Sequence, residues 1–311
     1  LQVKRQVVRE FEAIIPPSAL LATNTSSLSV ADIAAASTRP GRVLGLHFFN
    51  PVEKMPLLEI VRGPATDDSA VEAALQLARR LGKTPVVVKD TPGFIVNRIL
   101  MPYLSGAMEM LGREGADPRV VQKADRAMTR FGMPMGPFAL LDRIGIDVAA
   151  KVAGVLHAAF GGGSGALRAF ESMTKSGFTG FKAGRGFYRY RGGLARALSP
   201  EVAPLVRSAY LQAADGGPAA RRDGGSGGDD DIADRLVDAM VNEAARLLDE
   251  GAVDGPEVID LAMVFGAGFP PFRGGLLRHA DAVGPALIAS RLTGRGIAPA
   301  ESLRAKGRFF A

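Results

Sequence analysis

The chain contains no cysteine and only three histidines, at positions 47, 157 and 279. The first absence excludes disulfides, thiolate metal sites and a cysteine nucleophile. The second argues against a histidine-rich metal centre, and no metal is expected. No apolar run approaches the roughly 18 to 20 residues of a membrane span, and the N-terminus lacks the charged-then-apolar order of a signal peptide. A cytoplasmic protein without a membrane span is therefore expected. Lys and Arg number 38 against 32 Asp and Glu, a net charge of +6, but the basic residues are dispersed and not interleaved with aromatics. Nucleic acid is not an expected partner, whereas a small anionic substrate is compatible. At 311 residues the chain has room for about two domains of roughly 150 residues each.

The stretch from Leu46 to Ile60 carries two polar groups inside apolar runs. Val43 to Phe49 (VLGLHFF) and Leu57 to Val61 (LLEIV) read as short buried strands, punctuated between them by Asn50-Pro51 and Met55-Pro56. His47 lies in the first and Glu59 in the second. A buried carboxylate needs a partner, and a neutral imidazole can be one. A Glu accepting from one ring nitrogen leaves the other free to take a substrate proton, which would make the two a catalytic dyad. Spacing alone leaves open a core histidine beside a surface glutamate.

Along the chain, Leu1 to Ile15 has helical apolar spacing and stops at Pro16-Pro17. Ala19 to Thr23 reads as a buried strand ending in Asn24-Thr25-Ser26-Ser27, groups that suit ligand contacts at a strand end and equally cap the helix expected from Ser29 to Ala36. A helix opened by Thr66-Asp67-Asp68 and stopped at Gly82, and a strand Pro85–Val88, follow. This alternation predicts a mainly parallel, helix-covered sheet. The first 90 residues hold no GxGxxG turn, and the Gly161–Gly165 run reads as a loop. Thr91-Pro92-Gly93 reads as a helix start with Thr91 as cap, Pro102 is expected to kink or divide the helix to Leu111, and Asn97 falls in its first turns. From there the pattern is helical, with further helices from Asp117-Pro118 and after Met133–Phe138.

The helical unit recurs. Ile95, Asn97 and Arg98 match Ile232, Asp234 and Arg235; Pro118, Val120, Val121 and Ala124 match Pro256, Val258, Ile259 and Ala262; Pro134 matches Pro270, at offsets of 137, 138 and 136. This is an internal duplication and not a short-period solenoid. The polar, glycine-rich stretch 214–231 between the copies is expected to be a mobile surface loop. No counterpart of the His47 and Glu59 strands accompanies the second copy, so the duplicate is expected to be structural. The expected domains are 1–90, 91–195, a connection over 196–231, and 232–311.

The Asn24-Thr-Ser-Ser27 turn, the His47-Phe-Phe-Asn-Pro51 strand end, Glu59 and Asp90-Thr-Pro-Gly-Phe-Ile-Val-Asn-Arg98, in that order, resemble the L-3-hydroxyacyl-CoA dehydrogenase family over nearly the whole chain. The duplicated unit, with its Gly268-Phe-Pro-Pro-Phe-Arg-Gly-Gly275 segment, looks most like the multifunctional fatty-acid oxidation proteins. The fold this implies is α/β followed by all-α: the C-terminal part of a Rossmann-like NAD-binding domain, then a duplicated helical dehydrogenase C-terminal domain. The resemblance further implies NAD-dependent oxidation of L-3-hydroxyacyl-CoA in fatty-acid β-oxidation. His47 would be the base and Glu59 its orienting carboxylate, with Ser26 and Asn97 contacting the substrate oxygens and Asn24 and Asn50 the cofactor. It implies acyl-CoA as substrate, and an enoyl-CoA hydratase domain and a thiolase subunit as partners; a homodimer is a further expectation, since self-association would cover apolar sheet surface. Against the family pattern, the glycine-rich front of the cofactor domain is absent, so the chain reads as a fragment that would be inactive alone. Two alternatives are a dehydrogenase for a hydroxy acid without CoA and a non-catalytic helical assembly module.

Overall fold

A computed structural model of the chain describes residues 1–26, 28–113, 117–213, 228–305 and 307–310. In order the elements are α1 (Gln2–Glu12), β1 (Leu21–Thr23), α2 (Val30–Ala34), β2 (Val43–Phe48), β3 (Leu57–Arg62), α3 (Asp68–Arg80), β4 (Thr84–Lys89) and α4 (Val96–Arg113). There follow α5 (Arg119–Phe131), α6 (Pro137–Ile144), α7 (Ile146–Phe160), α8 (Ser164–Lys175), β5 (Tyr188–Arg191), β6 (Leu194–Leu198) and α9 (Val202–Leu211). The last are α10 (Asp229–Asp249), α11 (Pro256–Ala267), α12 (Leu276–Val283), α13 (Pro285–Gly294) and α14 (Glu301–Ala305). The expected loop over 214–231 lies mostly outside the described residues; its last three residues begin α10.

Four strands form a sheet in the order β1-β2-β3-β4. β1 runs parallel to β2 and β3 to β4, but β2 and β3 are antiparallel. The short connection 49–56 explains the reversal, because a parallel crossover needs a dozen or more residues. Strand side chains alternate between the two faces. Leu44, Leu46, Leu58 and Ile60 lie on one face and form a buried cluster with Ala70, Val71, Ala74 and Ala78 of α3. His47 and Glu59 therefore lie on the other face, which α2 and α11 meet. A Cβ on Gly45 would come within 3.0 Å of Val30 in α2, and one on Gly266 in α11 within 2.5 Å of Leu57 and 2.8 Å of Val96. Glycine at 266 is what lets α11 approach the sheet so closely.

One local expectation changes. The helix expected from Thr91-Pro92 begins only at Val96, because Gly93 and Phe94 take φ of +78° and +52° and so turn the chain out of a helical path. Pro102 sits inside α4 without dividing it; one missing N–H costs a single ladder bond, and the buried flanks Met101 and Tyr103 hold the helix by packing. The helical part also contains a hairpin, β5 paired antiparallel with β6. Its turn is Gly192-Gly193, with φ of +59° and +78°, the left-handed conformation that two-residue hairpin turns require.

The chain divides into two compact units: residues 1–98, 244–285 and 300–311 in one, and 99–243 and 286–299 in the other. The second half of the duplication thus contributes to the unit that holds the sheet.

The repeat is visible in its caps. In the first copy the Asp125 carboxylate of α5 accepts from Phe138 N and Ala139 N at the start of α6. In the second, Asp260 of α11 accepts from Leu277 N and Arg278 N at the start of α12. Asp142 likewise accepts from Phe187 N and Tyr188 N, and Asp281 from Phe309 N and Phe310 N. The equivalence of Asp125 and Asp260 makes the α5-to-α11 offset 135 rather than 138. Sequence matching slipped by three residues, close to one turn, which leaves a similar apolar face in register.

Candidate active site

His47 and Glu59 are direct cross-strand partners. Partners so placed hold their Cβ atoms about 5 Å apart, and here the side chains meet, with His47 Nδ1 2.6 Å from Glu59 Oε2. Both are buried, Glu59 with no exposed side-chain surface. The other carboxylate oxygen, Oε1, accepts from Ile95 N and Val96 N at 3.0 Å each. These are amides at the start of α4, groups that have no partner within the helix and that carry the positive end of its dipole. Three contacts thus surround a carboxylate that would otherwise cost several kcal/mol to bury.

The turn before α4 aims those amides. Phe94 is the one non-glycine residue with positive φ among the described residues, a conformation that costs on the order of 1 to 3 kcal/mol. Its ring is buried and lies 5.6 Å from the His47 ring, while Phe49 lies 4.6 Å away. The two aromatic rings restrict the imidazole and keep water from it. A carboxylate at Glu59 can only accept, so opposite it the imidazole of His47 would place its proton on Nδ1. Nε2 then holds a free lone pair.

The remaining sequence candidates group at the ends of β1 and β2, which are parallel. Asn97, in the first turn of α4, donates from Nδ2 to the Ser26 carbonyl at 3.4 Å, so these two residues come together. Both are half-buried. Asn24 and Asn50 are exposed, each just beyond the C-terminal end of its strand, where open α/β sheets place ligands. Of the neighbouring hydroxyls, Thr25 accepts from Leu28 N and Ser29 from Asp32 N, which are turn and cap roles. Ser27 lies outside the described residues.

Sequence reasoning missed several participants. Lys4 in α1 places its ammonium 2.9 Å from Thr23 Oγ1 and 3.2 Å from the Asn24 carbonyl. Asp90, at the end of β4, accepts from Ser29 Oγ and Ala31 N and so fixes the start of α2. The Ile95 and Val96 amides carry no sequence signal beyond the Gly93-Phe94 pair that turns toward them. Arg98, buried in the same stretch, makes a bidentate pair with Glu250, 152 residues away.

Two family descriptions match the chain: "3-hydroxyacyl-CoA dehydrogenase, NAD binding domain" over residues 1–91 and "3-hydroxyacyl-CoA dehydrogenase, C-terminal domain" over residues 93–190. The fatty acid oxidation complex subunit alpha of Vibrio cholerae is 39% identical over 284 residues, covering 91% of this chain and 38% of that protein. Among solved structures, 3-hydroxybutyryl-CoA dehydrogenase of Escherichia coli is 28% identical with a TM-score of 0.78, covering 98% of this chain and 79% of the other. FadB2 of M. tuberculosis is 39% identical with a TM-score of 0.58, covering 61% and 67%. The chain spans less than half the length of the curated relative it matches.

Proposed function

Because the chain belongs to the 3-hydroxyacyl-CoA dehydrogenase family, we propose that it carries the base and the substrate-holding residues of an NAD-dependent oxidation. The reaction converts L-3-hydroxyacyl-CoA to 3-ketoacyl-CoA in fatty-acid β-oxidation and is performed by a longer protein. The observation that carries this reading is the buried His47–Glu59 pair, joined at 2.6 Å and fixed by the two amides at the start of α4.

His47 Nε2 takes the hydroxyl proton as the C3–O bond becomes a carbonyl, and the hydrogen on C3 departs as hydride. Glu59 faces the positive charge that forms on the imidazole and stabilises it. Ser26 and Asn97 hold the reacting oxygen; the Asn97 amide has two N–H donors, of which one serves the Ser26 carbonyl. Holding that oxygen against Nε2 matters as much as the base itself.

The residues of this chain fit one end of NAD: the exposed amides of Asn24 and Asn50 and the ammonium of Lys4 beside Asn24 are donors suited to an amide and a ribose. When bound, NAD supplies the hydride acceptor. Asn24 and Asn50 would hold it at the strand ends.

The same reading assigns the chain to a fatty-acid oxidation complex, with an enoyl-CoA hydratase domain and a thiolase subunit as partners, a homodimer as a further arrangement, and a cytoplasmic location. No helix among the described residues is long and apolar enough to cross a membrane. The substrate class is tested by comparing L-3-hydroxybutyryl-CoA with free L-3-hydroxybutyrate in the full-length protein. The thioester is expected to give a kcat/KM at least about 100-fold higher, since binding energy from the remote CoA portion contributes to the transition state. Equal values for the two would point to a hydroxy-acid dehydrogenase that does not use CoA.

A further inference from the structure

The second helical copy reaches the turn that holds Glu59. Arg98 lies two residues beyond Val96, is 2% exposed, and places Nη1 and Nη2 each 2.6 Å from the Glu250 carboxylate oxygens. Glu250 follows directly on α10. The same Nη1 donates to Thr91 Oγ1 at 3.2 Å, and the Thr91 carbonyl accepts from Phe94 N at 3.0 Å. One guanidinium therefore ties both ends of the turn 91–98 to the second copy. Two residues past Glu250, the Ala252 carbonyl accepts from Lys89 N at 2.9 Å. Gly266 of α11 closes against Val96 and Leu57.

That turn contains Gly93 and Phe94 at positive φ. For Phe94, a non-glycine residue, such a conformation persists only where the surroundings over-determine it, and its product is the aim of the Ile95 and Val96 amides at Glu59. We propose that Glu250, acting through Arg98, is a positioning residue that holds the start of α4 so that Glu59 stays seated against His47. The duplicated helical copy thereby supports the catalytic pair instead of serving only as structure. The proposal rests on the dehydrogenase reading for its consequence in turnover, but its geometric part concerns the His47–Glu59 bond alone.

A matched control exists. α10 also meets α4 through Arg235 and Glu109, 3.5 Å apart, in the other compact unit. Glu250→Gln, the milder Glu250→Asp, and Glu109→Gln are compared in 15N-histidine-labelled protein, following exchange of the His47 Nδ1 proton with water, and in full-length enzyme, following kcat and KM for L-3-hydroxybutyryl-CoA. Glu250→Gln is expected to speed exchange by about tenfold or more through local opening and to lower kcat by about tenfold with KM within about twofold. Glu250→Asp is expected to fall between Glu250→Gln and the parent protein, and Glu109→Gln to change neither reading. Faster exchange in a protein that oxidises no hydroxyacyl-CoA would overturn the dehydrogenase reading and leave the positioning role standing. Unchanged exchange in Glu250→Gln, with or without a lower melting temperature, would overturn the positioning role, and so would an equal effect of Glu109→Gln.

Discussion

His47→Gln is expected to lower kcat for L-3-hydroxyacyl-CoA oxidation by about 10²- to 10⁴-fold, the usual contribution of a positioned general base, while leaving the protein folded. Glutamine is close to histidine in size and its amide N–H can still donate to Glu59, so the buried carboxylate keeps its three contacts. What it lacks is a nitrogen lone pair that can take a proton. The measurement is NADH formation by the full-length protein, paired with a thermal melt of each variant. Near-normal turnover in a stable variant would remove the pair from the mechanism. A collapse of the melting temperature would instead mark His47 as a core histidine, the reading that strand spacing alone leaves open.

The second large effect belongs to Glu59→Gln. Its amide oxygen would remain on the Ile95 and Val96 N–H groups, since only an acceptor satisfies them, and its NH₂ would then face Nδ1 of His47. The imidazole must respond by accepting at Nδ1 and carrying its proton at Nε2, the wrong tautomer for a base. A loss on the order of 10²- to 10⁴-fold in kcat is expected, as for other catalytic histidines whose orienting carboxylate becomes an amide. Nitrogen-15 spectra of the histidines would report the tautomer directly. A variant in which Nδ1 stays protonated and turnover is retained would show that Glu59 does not set the state of the imidazole.

Much of this site could be read from the chain. The apolar runs around His47 and Glu59 became β2 and β3, and alternating side-chain direction put both residues on one face. Their direct opposition depended on register, which follows from an antiparallel pairing across the 49–56 connection and not from any local pattern. The turn at Thr91-Pro92-Gly93 shows why a good local signal can mislead. Threonine before proline is a sound helix start, but here the tertiary need to present amides to Glu59 delays the helix to Val96. Gly192-Gly193 between two short runs was a legible hairpin signal, hidden by the helical pattern around it. The repeat was legible as a repeat, yet its register in α11 was not, because a three-residue slip on a helix nearly preserves the buried face. Arg98 and Glu250 lie too far apart in sequence for any spacing rule to pair them.

In the proposed reaction of the longer protein, His47 takes the hydroxyl proton of the substrate while hydride leaves the carbon that bears that hydroxyl. A single turnover of C3-deuterated L-3-hydroxybutyryl-CoA by the full-length protein, run for the parent and for His47→Gln, tests both halves of that step. Deuterium is expected on C4 of the reduced nicotinamide, with a primary isotope effect on its formation, and the same isotope-sensitive step is expected to slow by at least about 10²-fold in His47→Gln. Absence of deuterium transfer, or an isotope-sensitive step of unchanged rate in His47→Gln, would contradict the proposed reaction.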